Sequence, residues 1–205
     1  PYELPVSLVP GDEVLIEEPT YSLLVDAARW LRLDVRRFPR RSEDGFRLDP
    51  REVERALTPR TRLVVITNLH NPSSAFTPPE DLRAVGDAAR SVGGRVLVDE
   101  VYLESLAVRG RPFGSAAHLG PEFVVTSSLT KAYGLSGLRC GWAVAEPDLA
   151  RRLPGAVARR NGVRCQLGSL HALVHGHLPA RAESGVHEWL SWLPEPGPTA
   201  AAVDQ

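Results

Sequence analysis

A chain of 205 residues can bury one sizeable core, so it reads as one large domain with or without an appendage. Its 24 basic and 25 acidic residues leave a net charge of −1, and the arginines are scattered, which argues against a polyanion-binding surface and against nucleic acid as a partner of this segment. No apolar run reaches membrane-spanning length, residues 1–4 lack the start of a signal peptide, and two cysteines make no disulfide framework, so a cytoplasmic setting without membrane attachment is expected. The absence of methionine, even at position 1, suggests a natural N-terminus further upstream.

In chain order, Pro10-Gly11-Asp12-Glu13 is a turn feeding the short strand Val14-Leu15-Ile16, and Glu17-Glu18-Pro19-Thr20-Tyr21 ends it. Thr20 is placed to cap a helix to about Leu31, with Leu23, Leu24, Ala27, Ala28 and Leu31 on one face. A second strand covers 35–38. Asp49-Pro50 is an N-cap with proline at the first helical position, opening a helix to Leu57. Leu63-Val64-Val65-Ile66-Thr67 is a continuous apolar run, the pattern of a strand covered on both faces in a parallel sheet.

After a polar loop, Thr77-Pro78-Pro79-Glu80 reads as a capping box starting a helix to about Val92, which Gly93-Gly94 stops. Arg95-Val96-Leu97-Val98-Asp99 is the next buried strand. Phe123-Val124-Val125-Thr126 is another, and 140–145 a further one. Such alternation implies a layered α/β domain. Past about Glu146 the character changes: Pro147-Asp148-Leu149 can begin a helix, but paired arginines, His171, His175, His177 and a proline-rich end come after it. The histidine run reads as polar tail rather than metal site, since no carboxylate or cysteine stands at suitable spacing, and Cys140 and Cys165 read as packed thiols.

Lys131 is the only lysine among the 24 basic residues. Where charge alone suffices this chain uses arginine, so Lys131 is singled out for chemistry that a guanidinium cannot do: losing a proton and attacking a carbonyl to form a Schiff base. Ligands in open α/β sheets bind beyond the carboxyl ends of the strands. Asn71, Asp99 and Lys131 each follow an apolar strand at that end, with Tyr102 shortly after Asp99 and Arg139 after Lys131. An amine, a carboxylate, a phenol, an amide and an arginine together suit a phosphorylated aromatic aldehyde.

Three ordered motifs carry a resemblance: Asn68-Leu69-His70-Asn71-Pro72-Ser73-Ser74, then Asp99-Glu100-Val101-Tyr102, then Ser128-Leu129-Thr130-Lys131 continuing to Gly137-Leu138-Arg139-Cys140-Gly141. In them the chain resembles the class I/II aminotransferases of the fold-type I pyridoxal-phosphate enzymes, over roughly positions 11 to 150. The resemblance implies a three-layer sandwich around a mostly parallel mixed sheet, pyridoxal 5'-phosphate as cofactor, an amino acid and a 2-oxo acid as substrates, and a homodimer. It implies that Lys131 forms the Schiff base and then shuttles a proton, that Asp99 pairs with the pyridinium, and that Tyr102 and Asn71 hold the 3'-oxygen. Ser128 and Arg139 would take the phosphate, Thr130 lies beside them, and Tyr21 would place a ring over the cofactor.

Two departures qualify that likeness. Ser73-Ser74 stands where the family usually has Thr-Gly. The family's glycine-rich phosphate loop and its carboxylate-binding arginine are not found, so residues 1–150 are expected to be a partial large domain and 151–205 a partial connecting helix and tail. A chain truncated at both ends would bind the cofactor weakly and be inactive alone. A lyase or decarboxylase on the same scaffold, a non-catalytic effector domain of a transcription regulator, and a degenerate fragment without function are the competing readings.

Overall fold

The computed structural model describes residues 8–152 apart from 109, 111–112 and 139–140. Arg139, Cys140, Cys165 and the histidine run lie outside the described residues. The order is β1 (Glu13–Glu18), α1 (Ser22–Trp30), β2 (Asp34–Pro39), α2 (Pro50–Ala56), β3 (Thr61–Thr67), α3 (Pro79–Ser91) and β4 (Arg95–Asp99). Next come α4 (Ser105–Val108), β5 (Phe123–Ser128), β6 (Gly141–Val144) and α5 (Pro147–Arg152). Six strands form one sheet in the order β2-β1-β3-β4-β5-β6. Every neighbouring pair is parallel except β5 and β6, which run antiparallel.

Two apolar cores, one on each face, explain the unbroken apolar runs. Successive strand residues point to opposite faces, so Leu15, Val64, Ile66, Val96, Val98 and Val125 meet α2 and α3 through Val53, Leu82, Val85 and Ala89. Val14, Ile16, Leu63, Val65, Leu97 and Val124 pack on the other side with Val25 and Ala28 of α1 and Leu149 of α5. These are the three layers that the run pattern requires. Among the described residues no helix is long and apolar enough to cross a membrane.

Element ends follow local chemistry where expected and depart from it in two places. Asp49 caps α2, its side chain accepting from Arg51 N at 2.9 Å with Pro50 beginning the helix. Gly93, at φ 75°, and the Gly94 N–H on Ala89 O close α3. Thr20 does not cap α1: the N-cap position is Tyr21, without a side-chain bond, and the Thr20 hydroxyl faces Glu17 Oε1 at 3.5 Å. Nor does Thr77 cap α3, where Pro78 holds the N-cap position; Thr77 is buried and bonded elsewhere. In both, a buried polar partner outcompetes the helix end for the hydroxyl.

The apolar stripe of α1 is rotated as well. Leu23 is 40% exposed while Val25 and Ala28 turn inward, because packing against β1 and β3 sets the face. Strand β5 runs on to Ser128 because Ser127 and Ser128 pair with Trp142 and Gly141 of β6, a partner that local pattern cannot supply.

Close packing of α3 on β5 gives a first test. A Cβ on Gly86 would stand 2.7 Å from Phe123 Cζ and 2.9 Å from Glu122 Oε1, both on residues buried against α3. At an exposed helical site Gly→Ala gains roughly 1 kcal/mol. Here Gly86→Ala is expected to lose about 1–3 kcal/mol, because the core must open; chemical denaturation of both proteins measures it.

Candidate active site

Strands β3, β4 and β5 are adjacent and parallel, so their carboxyl ends are flush. Thr67 stands opposite Asp99, and Asp99 opposite Thr126. Backbone bonds continue the register past the strands: Asn68 N donates to Asp99 O, and Glu100 N to Thr126 O, each at 2.8 Å. The loops beginning at Asn68, Glu100 and Leu129 therefore open along one edge, and the loop leaving β1 borders the first of them.

Asp99 is the last residue of β4 and largely buried. Its Oδ1 accepts two long bonds, from Val101 N at 3.3 Å and Thr126 Oγ1 at 3.4 Å. Burial pushes the carboxyl above its ordinary range, and those two donors only partly oppose the shift. Such a carboxylate gains from a cationic partner. Its neighbour Glu100 turns the other way, accepting from Ala116 N at 2.8 Å, and burial pushes it up to about 7. Tyr102 sits half-buried in the turn beyond β4.

At the end of β5 the Ser128 and Thr130 hydroxyls lie 2.6 Å apart, and Thr130 N donates to Ser128 Oγ at 3.3 Å. One hydroxyl donates to the other and the Thr130 N–H is spent on Ser128 Oγ, which leaves one hydroxyl proton to offer an anion. Lys131 comes next and is exposed. Leu135 N on Leu129 O at 2.9 Å and Gly134 N on Lys131 O at 3.1 Å close the lysine turn, while Tyr133 meets the Trp142 ring edge-on. Tyr21, at the far end of the β1 loop, is 44% exposed. Asn71, Asp99, Tyr102, Ser128, Thr130 and Lys131 thus stand at or just beyond the ends of three adjacent strands, with Tyr21 beyond a fourth. Among the described residues, Ser128–Thr130 is the one direct hydrogen bond between these side chains.

Sequence reasoning missed the polar network beneath Asn71. Glu17, fully buried in β1, accepts from Thr67 N at 2.7 Å and Thr67 Oγ1 at 2.6 Å, and pairs with buried Arg40 Nη1 at 2.9 Å. Burial pushes its carboxyl up while Arg40 and Thr67 pull it back. These partners are all donors, so the carboxylate form is the one that satisfies them. A charged residue at the end of an otherwise apolar strand was the available signal. Asn68 and Thr77 exchange bonds: Thr77 N donates to Asn68 Oδ1 at 3.0 Å and Asn68 Nδ2 to Thr77 O at 3.3 Å.

His70 ties this loop to the β1 loop. Its Nε2 faces Pro19 O at 3.0 Å and therefore carries the proton, while Nδ1 accepts from Ser73 Oγ at 2.6 Å. Burial holds the ring down to about 4, against an ordinary 6.5. The Ser73 hydroxyl also accepts from Ala75 N at 3.2 Å. Ser74 holds a left-handed backbone, at φ 63°, the region that favours glycine.

The family model described as aminotransferase class I and II matches residues 4–172, a wider span than the motifs mark. The chain belongs to the class I and II aminotransferases. It is 33% identical over 150 residues to the aspartate/prephenate aminotransferase of Thermus thermophilus, covering 71% of this chain and 38% of that one. To the histidinol-phosphate aminotransferase of Halorubrum lacusprofundi it is 37% identical over 141 residues, covering 67% and 37%. The solved aspartate aminotransferase from Thermus thermophilus with maleate superposes with a TM-score of 0.69 at 27% identity, over 89% of this chain and 47% of that one. This aminotransferase chain therefore spans well under half the length of the curated relatives it matches. The family works with pyridoxal phosphate on amino and keto acids, and the six-stranded mixed sheet with helices on both faces is the fold it shares.

Two measurements probe the Asn71 loop. A serine at φ 63° bears a left-handed strain of about 1 kcal/mol that glycine lacks, so Ser74→Gly is expected to raise the melting temperature. His70 is neutral in the fold down to about 4, whereas the unfolded chain takes up the proton near 6.5. The unfolded state binds more protons between those values, so this contribution to stability is whole above about 6.5 and falls as pH drops toward about 4. Unfolding midpoints across that range should show the slope, and His70→Asn should flatten it.

Proposed function

We propose that this chain is the cofactor-binding part of an enzyme that moves an amino group between an amino acid and a 2-oxo acid. The observation that carries the reading is the position of the sole lysine, in the turn after β5, one strand away from a largely buried carboxylate whose described partners are all neutral donors. The donor set fits pyridoxal phosphate: Asp99 for the ring nitrogen, Tyr102 and Asn71 for the ring oxygen, Ser128, Thr130 and Arg139 for the phosphate, Tyr21 beside the ring, and Lys131 for the aldehyde. When bound, that group supplies an aldehyde for an amine and a ring that withdraws electrons from the substrate's α-carbon.

The chain's own residues do the rest. Asp99 keeps a proton on the ring nitrogen, since a buried carboxylate beside a cation is stabilised in its charged form. The hydroxyl proton that the Ser128–Thr130 bond leaves over would donate to an anion at the turn that also positions Lys131, so anchoring and chemistry share one short segment. Lys131 Nζ, exposed toward solvent, can take and return a proton at the substrate α-carbon. On this reading residues 1–150 are part of the family's large domain, 151–205 are a partial connecting helix and tail, and the working form is a homodimer. Aminotransferase names among the relatives support this over the lyase and effector alternatives.

Titrating the chain with pyridoxal phosphate should produce the absorbance band of lysine-bound cofactor. Lys131→Ala should abolish the band while leaving the unfolding midpoint in place. A band of undiminished height in Lys131→Ala would sink the assignment.

A further inference from the structure

The network under Asn71 has a direction set by its hydrogens. A carboxylate only accepts, so the single proton of the Thr67 hydroxyl is committed to Glu17 Oε1 at 2.6 Å. The Thr67 oxygen is then left to accept the Asn71 N–H, at 2.8 Å. Arg40 holds Glu17 from the other side and extends Nη2 to Thr77 Oγ1 at 3.2 Å, with Nε on Phe46 O at 2.7 Å. Thr77 in turn is locked to Asn68 by their reciprocal bonds. Both ends of the 68–77 loop therefore hang on one ion pair with side chains fully buried.

Two buried charges in a sheet end are costly to desolvate, and well-packed apolar residues would stabilise the fold as well or better. Packing thus gives no reason for this pair, whereas the loop it clamps carries a site residue. We propose that Glu17, Arg40 and Thr67 are positioning residues that fix the main chain at Asn71 and so aim its side-chain amide at the cofactor's ring oxygen. The inference rests on the reading of Asn71 given under the proposed function. The three residues act through Asn71 and touch no reacting atom.

Thr67→Val keeps the shape and the ion pair but removes the link to Asn71, and Thr67→Ser restores it. In the full chain without cofactor, amide exchange in the segment containing Asn71 should quicken roughly tenfold in Thr67→Val, the factor for one lost hydrogen bond, with β3 and β4 unchanged. With pyridoxal phosphate added, the pH midpoint of the lysine-bound band should move in the direction that Asn71→Ala moves it. The double variant should move no further, and Thr67→Ser should match the wild type. A merely structural Thr67 would lower the melting temperature and leave that midpoint unmoved, which overturns the proposal, as would additive shifts or unaltered exchange. If the wild type gives no band, the cofactor reading fails and takes the aiming of Asn71 with it; a band with an unmoved midpoint sinks the positioning role alone.

Discussion

Strands β1, β3, β4 and β5 are covered on both faces, so their backbone N–H and C=O groups have no water to bond and must satisfy one another. That requirement holds the strands in register, and cover on both faces fills them with Val, Leu and Ile. Polar side chains are driven to the strand ends. Thr67, Asp99 and Thr126 fall level along one edge for this reason, and the loops beyond them carry the candidate site residues.

Two kinds of carboxylate occupy that edge. Glu17 is buried with an arginine and donor groups around it, so its charge is matched inside the protein. Asp99 is largely buried but meets neutral donors at long distance, so its charge is matched poorly. The first arrangement suits a structural anchor, and the second a partner for a ligand cation. Glu100 is a third case, turned toward the Ala116 N–H, with burial pushing its carboxyl up to about 7.

Much of this was legible along the chain. The continuous apolar runs at β3 and β4 predict a buried parallel sheet, and its three layers are found. Asn71, Asp99 and Lys131 were readable as a group because each follows such a run, and the lone lysine stands out among arginines. Helix caps were less legible: Thr20 and Thr77 have the right residue type, yet their hydroxyls answer to Glu17 and Arg40. A hydroxyl bonds whichever partner is nearest in three dimensions, and local spacing does not reveal that partner.

The order of residues by itself determined the strand pattern, the sheet class and the sequence of chemical groups beyond the strand ends, because period and residue type are local properties. Only tertiary structure decided that β6 runs antiparallel and lengthens β5, that α1 turns Val25 rather than Leu23 inward, and that Glu17 reaches Thr67 across β1 and β3. Register between strands far apart in the chain makes those contacts. The Asn71 N–H bonds Thr67 four residues back, but Thr67 is itself held by Glu17 and, through it, Arg40 from two other strand ends, and no stretch of sequence contains that arrangement.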